Sequence, residues 1–170
     1  YAKKVADAMG TSVTAVTINA SNTSELGKYG VSKVLQVSNE QLATFNAKGY
    51  AAVIQQAAEK EGTSLVVLSS TTDSLYLAPL VAVGLKAGYA SNVVSLPSST
   101  SPFQVKRTAF SNKAFNITEL TTAVKVIGIA KNSYGLSEDD VTVSEEVFAP
   151  AIDNSAFGVK VENVEKITGK

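Results

Sequence analysis

The chain has 170 residues and a mass of 17.7 kDa; 45% of its residues are hydrophobic, 18% are charged, and 15 bases balance 15 acids at a pI near 6.5. This composition suits a folded domain with a buried core and disfavours a disordered tract or a basic nucleic-acid module. Cysteine and histidine are both absent. That removes disulfides, thiol nucleophiles, Ser-His-Asp triads and His- or Cys-ligated metals from these residues, and points to binding or scaffolding rather than catalysis.

In chain order, Val5, Ala6, Ala8 and Met9 predict a short helix that stops at Gly10. Residues 12–18 (SVTAVTI) are β-branched and predict a strand. A short helix is expected from Thr23 to Tyr29, ended by Gly30, and a strand over residues 33–37 (KVLQV). Residues 45–60 predict a helix, because Tyr50, Val53, Ile54, Ala57 and Ala58 recur at helical spacing and Gly62 follows. Residues 65–68 (LVVL) form a fully apolar strand, as expected where both faces are covered. Residues 75–86 predict a helix containing Pro79 and ended by Gly88, and residues 92–96 a further strand. Residues 1–96 thus alternate helix and strand, the pattern of a doubly wound parallel sheet.

The character changes at residues 97–102 (PSSTSP), a loop by composition. Residues 103–110, 113–120 and 123–129 follow with short links and predict an antiparallel meander; residues 141–147 and 157–167 predict one or two more strands. The longest apolar run, residues 77–85, is far shorter than the roughly 20 residues of a membrane span. Residues 1–10 are amphipathic with three charges, unlike a secretory signal, so a cytoplasmic location is expected. The chain opens inside a helix where a doubly wound fold begins with a strand, and it ends at Ile167-Thr168-Gly169-Lys170 without a closing element. The expectation is a piece of a longer protein.

Charge is uneven. Residues 1–137 hold 12 bases and 7 acids, residues 138–170 hold 3 bases and 8 acids, and Arg107 is the sole arginine. No GxGxxG and no GK[ST] phosphate loop occurs, Gly27-Lys28-Tyr29-Gly30 included. The pairs Asp139-Asp140 and Glu145-Glu146 fall on adjacent positions, which in a strand point to opposite faces, so neither converges on a metal or an acid–base pair. Ser69-Ser70-Thr71-Thr72-Asp73 follows a parallel strand, where open α/β sheets bind ligands, but helix capping by Asp73 is the expected role. No catalytic, cofactor-binding or metal residue is assigned.

Residues 73–94 (DSLYLAPLVAVGLKAGYASNVV) resemble the α subunit of electron transfer flavoproteins through Leu77-Ala78-Pro79, Val81-Ala82, Leu85, Gly88 and Ser91-Asn92-Val93. Tyr29-Gly30-Val31-Ser32-Lys33-Val34-Leu35 is similar to that family's entry into a strand, and Arg107-Thr108-Ala109-Phe110-Ser111-Asn112-Lys113-Ala114 to its hairpin. Leu80 stands where the family carries Arg, and Asn112 where it carries Gly.

The resemblance implies an α/β fold: a Rossmann-like, doubly wound, mostly parallel sheet (adenine nucleotide alpha hydrolase-like) with an antiparallel C-terminal extension. Residues 1–133 correspond to the N-terminal α/β domain of the α subunit, and residues 134–170 to an acidic extension toward a FAD-binding C-terminal domain that is absent from this chain. It implies a scaffold in a bacterial electron carrier that is not itself an enzyme. The carrier takes electrons from acyl-CoA or other flavoprotein dehydrogenases and passes them to a quinone oxidoreductase. FAD sits in the absent domain and AMP in the β subunit. The implied partner is that β subunit, with no nucleic acid. The meander of residues 103–129 and the acidic tail after Ser137 are the expected contact surface, and self-association of the chain through it is also expected. The alternative is a free-standing nucleotide-binding domain of the stress-protein or ATP-pyrophosphatase superfold, against which the missing phosphate loop counts. A secreted Ser/Thr/Asn-rich adhesion module is disfavoured by the helix–strand alternation.

Overall fold

A computed structural model describes residues 1–159 and 161–165. The chain begins with α1 (Ala2–Ala8) and β1 (Val13–Ile18), passes through a 3-10 turn (Thr23–Lys28), and enters β2 (Val31–Val37). Then come α2 (Ala47–Glu61), β3 (Leu65–Ser69), α3 (Thr72–Gly84) and β4 (Gly88–Val93). Asn46 caps α2 by accepting from the Gly49 amide at 3.0 Å, and Gly62 ends the helix at φ +59°, a left-handed conformation that glycine adopts without strain. A short β5 (Ser99–Thr100) precedes the hairpin β6 (Phe103–Ala109) and β7 (Ala114–Leu120), then β8 (Lys125–Ile129) and β9 (Ser144–Val147). A 3-10 turn, Asn154–Phe157, lies beyond.

Two sheets result among the described residues. β1, β2 and β9 form a parallel sheet in the order β1-β2-β9, and the second runs β3-β8-β4-β6-β5 with β7 on β6. The architecture is mixed α/β and consistent with a Rossmann-like fold. The expected meander is correct for β6 and β7, which pair antiparallel from Phe103↔Leu120 to Ala109↔Ala114. It is wrong for its third member. β8 leaves the hairpin and inserts between β3 and β4, parallel to both. The physical reason is burial: Val126, Ile127 and Gly128 are enclosed on both faces, and a strand of that kind belongs inside a parallel sheet.

The acidic extension departs from expectation too. Residues 144–147 add a parallel strand to β2, so part of this segment covers an edge of the α/β sheet rather than forming an antiparallel appendage. Of the strand expected over residues 157–167, Phe157 ends a 3-10 turn and residues 158–159 and 161–165 hold no regular structure; residues 160 and 166–167 lie outside the described residues.

Side chains of β3 alternate between two cores. Leu65 and Val67 pack with Val5 of α1, Ile127 and the β6–β7 residues Phe103, Val105 and Leu120. Val66 and Leu68 pack with Ala51 of α2 and with Ala78 and Val81 of α3. Helices therefore cover both faces, α1 on one and α2 with α3 on the other. A third cluster, Val37, Leu42 and Val53, ties β2 to α2 and receives Val16, Ile18, Phe148 and Phe157.

Candidate functional site

The carboxyl end of β3 turns into α3 through Ser70 and Thr71. Thr71 caps the helix: its Oγ1 accepts from the Ser74 amide at 3.3 Å and lies 3.1 Å from Ser74 Oγ, which in turn donates to the Ser69 carbonyl. Asp73, expected as the cap, sits in the first turn instead, where its charge complements the helix dipole. The Ser70 amide donates to the Ile129 carbonyl at 2.8 Å, and Ser70 Oγ accepts from the Asn92 amide at 3.4 Å. Thr71 Oγ1, Ser74 Oγ and Ser70 Oγ thus all help to hold the loop.

Beside it stands Arg107, brought opposite Val93 by the pairing of β6 with β4. Its Nη2 donates to Ser91 Oγ at 3.1 Å, while its Nε is buried without a partner. Burial raises the Tyr89 phenol above its ordinary pKa, and a hydrogen bond with Ser91 and the charge of Arg107 oppose the rise. Gly128 makes room for the cluster: a Cβ there would lie 2.7 Å from Ser70 Oγ and 3.6 Å from Tyr89 Oη. Ser70, Tyr89, Ser91 and Arg107 therefore meet where three parallel strands end. The group offers hydrogen-bond donors and one cation, an arrangement suited to holding a carbonyl or carboxylate.

The Glu145-Glu146 pair diverges as its adjacency on a strand requires. Glu145 accepts from the Thr23 hydroxyl on one side of β9. Glu146 on the other side pairs with Lys33 at 2.9 Å and Lys60 at 2.8 Å, and hydrogen bonds from these two lysines hold its carboxyl below the usual range. Asp139 pairs with Lys3 at 3.1 Å. Among the described residues no acidic cluster is arranged to hold a metal ion.

A flavin does not fit the loop at α3. Binding a pyrophosphate at a helix N-terminus needs free amides and no competing anion. Here Thr71 takes the Ser74 amide and Asp73 places a negative charge in the first turn.

Apolar surface is the other conspicuous feature, and its largest part was not expected. α3 is apolar all round, and Tyr76, Leu80 and Val83 form a stripe at helical spacing on its outer side, with Tyr76 66% and Val83 78% exposed. Leu75 extends the stripe, also exposed. The signal was present in the sequence LYLAPLVAVG, which lacks any polar face. On the hairpin, Phe110, Phe115 and Ile117 are exposed, within the meander named as a contact surface. Its turn, Phe110-Ser111-Asn112, is left-handed at all three residues, with φ +64° at Asn112. Asparagine tolerates that region better than most residues, so the hairpin closes without the glycine of the family pattern.

A family model described as "Electron transfer flavoprotein domain" matches residues 1–167. The "Electron transfer flavoprotein subunit alpha" of Bacillus subtilis is 26% identical over 144 residues, covering 85% of this chain and 44% of that protein. The protein of the same name from Clostridium acetobutylicum is 32% identical over 98 residues, covering 55% of this chain and 29% of its own length. The chain thus spans less than half the length of these relatives. No helix among the described residues is long and apolar enough to cross a membrane.

Proposed function

The chain belongs to the electron transfer flavoprotein domain family, and from that premise we propose that it is the N-terminal domain of an α subunit, serving as the scaffold on which a flavin-bearing portion and a β subunit are assembled. The observation that carries this reading is the family match over residues 1–167. In the proposed complex FAD lies in a C-terminal domain of the same subunit and AMP in the β subunit. The complex accepts electrons from acyl-CoA or other flavoprotein dehydrogenases and delivers them to a quinone oxidoreductase in the bacterial cytoplasm. The division falls near residue 133, with residues 134–170 leading toward the flavin portion. This domain contributes no catalytic residue, cofactor ligand or metal ligand.

Two surfaces support the scaffold role. The stripe Tyr76, Leu80 and Val83 presents apolar area of the kind that protein partners cover. The crevice around Arg107 supplies an unpaired, buried N–H that an acceptor from a neighbouring domain would satisfy. Co-expression with the cognate β subunit tests the reading. The expected result is a 1:1 complex on size exclusion that persists through dilution to micromolar concentration. A folded domain that elutes alone under those conditions overturns it.

A further inference from the structure

We infer that the crevice formed by Ser70, Tyr89, Ser91 and Arg107 is a binding site for a carboxylate. Its basis is a cation without a counter-ion. Lys3, Lys33 and Lys60 each pair with at least one acid, whereas Arg107 pairs with none. All 15 aspartates and glutamates of the chain lie among the described residues, so its own acidic side chains leave this guanidinium unmatched. The Nε of Arg107 is also shielded from solvent and has no hydrogen-bond partner. A shielded N–H on a charged group is costly unless an acceptor reaches it.

The donors around that N–H suit an acceptor of one shape. A guanidinium carries parallel N–H bonds from Nε and Nη2 along one edge, a spacing that a carboxylate matches with its two oxygens. Nη2 has two hydrogens and needs only one for Ser91 Oγ at 3.1 Å. Ser70 Oγ accepts from the Asn92 amide at 3.4 Å, and its own O–H has no acceptor among the described residues. Burial raises the pKa of the Tyr89 phenol, so the ring brings a neutral hydroxyl and not a competing anion. Ser70, Tyr89, Ser91 and Arg107 are all half-buried, so an anion enters from the surface and ends on a shielded donor.

Charge selects a carboxylate over its rivals. A neutral carbonyl would satisfy Nε but leave the guanidinium charge unbalanced. A phosphate dianion would carry more charge than Arg107 offsets, and Arg107 is the only cation hydrogen-bonded into the cluster among the described residues. Asp73, three residues after Ser70 in the first turn of α3, adds a negative charge that a dianion would meet. The helix contributes no free amide here, because Thr71 has taken that of Ser74. Position agrees with this chemistry: Ser70 and Ser91 stand at the carboxyl ends of β3 and β4, where open α/β sheets bind ligands.

The carboxylate has two possible sources, a small organic acid in solution or an Asp or Glu side chain of the β subunit. The second source rests on the scaffold reading above, and the first stands without it.

Arg107 is the sole arginine, so the chain has a single arginine Nε–H resonance for the test to follow. Titrating the isotopically labelled chain with sodium acetate at about pH 6.5, where carboxylates are ionised, should shift that resonance and the Ser91 amide, with half-saturation at or below about 10 mM. Sodium chloride at the same ionic strength should give no saturable shift, and inorganic phosphate should bind at least about 10-fold more weakly than acetate. In Arg107→Lys, which keeps the charge and loses the fork, the Ser91 amide should no longer respond. A response to acetate no different from that to chloride overturns the proposal. Phosphate binding as tight as acetate, or an unchanged acetate response in Arg107→Lys, overturns it too. The 1:1 complex with the β subunit then separates the sources. A resonance already at its shifted position and indifferent to acetate assigns the carboxylate to the β subunit, and one that still titrates assigns it to a small acid. A resonance left unshifted yet closed to acetate in the complex overturns the proposal. If no complex forms, the scaffold reading falls, and the acetate titration of the chain alone still decides this one.

Discussion

Thr71 holds the entrance of α3 with two contacts, one to the Ser74 amide and one to its hydroxyl. Thr71→Ala should therefore lower stability by about 1 kcal/mol, and Asp73→Ala by no more than a few tenths, as read from urea unfolding. Equal losses would restore Asp73 as the cap. The sequence STTDS offers several capping residues in succession, and the choice among them turns on where β3 releases the chain, which no local pattern specifies. Glu146 allows a test by pH. Its carboxyl is held low by Lys60 and Lys33, and Lys33 is held high by Glu61 and then Glu146. A depressed carboxylate stabilises the fold above its ordinary pKa and loses that effect as pH falls through the depressed value. A raised lysine stabilises below its ordinary pKa and loses the effect as pH rises through the raised one. The difference in Tm between the parent and Glu146→Gln should thus be level from about pH 5 to pH 10 and disappear in stronger acid. A difference that persists undiminished at the acid end would show that Glu146 acts by packing rather than charge.

At the level of elements, α3 carries two jobs on one helix. Ala78 and Val81 bury against β8 and α2, while Tyr76, Leu80 and Val83 face out. Tyr76→Glu combined with Val83→Glu should leave the stability of the isolated domain within about 0.5 kcal/mol and abolish co-elution with the β subunit. Retained co-elution would move the partner surface elsewhere, with the exposed Phe115 and Ile117 next in line. In the core, Ile127→Val should reduce stability by about 1 kcal/mol in urea titration, because Ile127 is fully buried among residues of β4, β6 and β7. The elements themselves were legible wherever a period was long enough: α2 follows its apolar spacing and caps, and β3 its unbroken apolar run. Boundaries slipped where one residue served either neighbour. Gly88 reads as the end of a helix but opens β4, because α3 already stops at Gly84 and Lys86 turns through a left-handed φ of +51°.

Across the whole molecule, residues far apart in sequence build the crevice. Ser70, Ser91 and Arg107 come from β3's end, β4 and β6, and they meet because β8 and the β6 hairpin set those strands side by side. Arg107 could be singled out as the sole arginine and as part of a family-like hairpin, Ser70 as part of the loop after a parallel strand and Ser91 as part of the family-like segment, but their meeting could not, since strand pairing is invisible to local periodicity. The scaffold reading makes one further prediction at this scale. Residues 1–170 purified alone should be colourless, because the loop at α3 opposes a pyrophosphate and no glycine-rich flavin loop is present. A stoichiometric flavin absorption band in the purified domain would contradict it.

The insertion of β8 also imposes an order in time. β3 and β4 do not touch as neighbours; each pairs with β8, as at Leu65↔Lys125 and Gly88↔Lys125. While the chain is being synthesised, the apolar run of residues 65–68 leaves the ribosome about 60 residues before the strand that will accept it. Through that interval its partner β8 has not been made, and closure over such a separation is slow. The nascent chain thus passes through a stage in which one of its apolar strands is finished before its partner strand has been made.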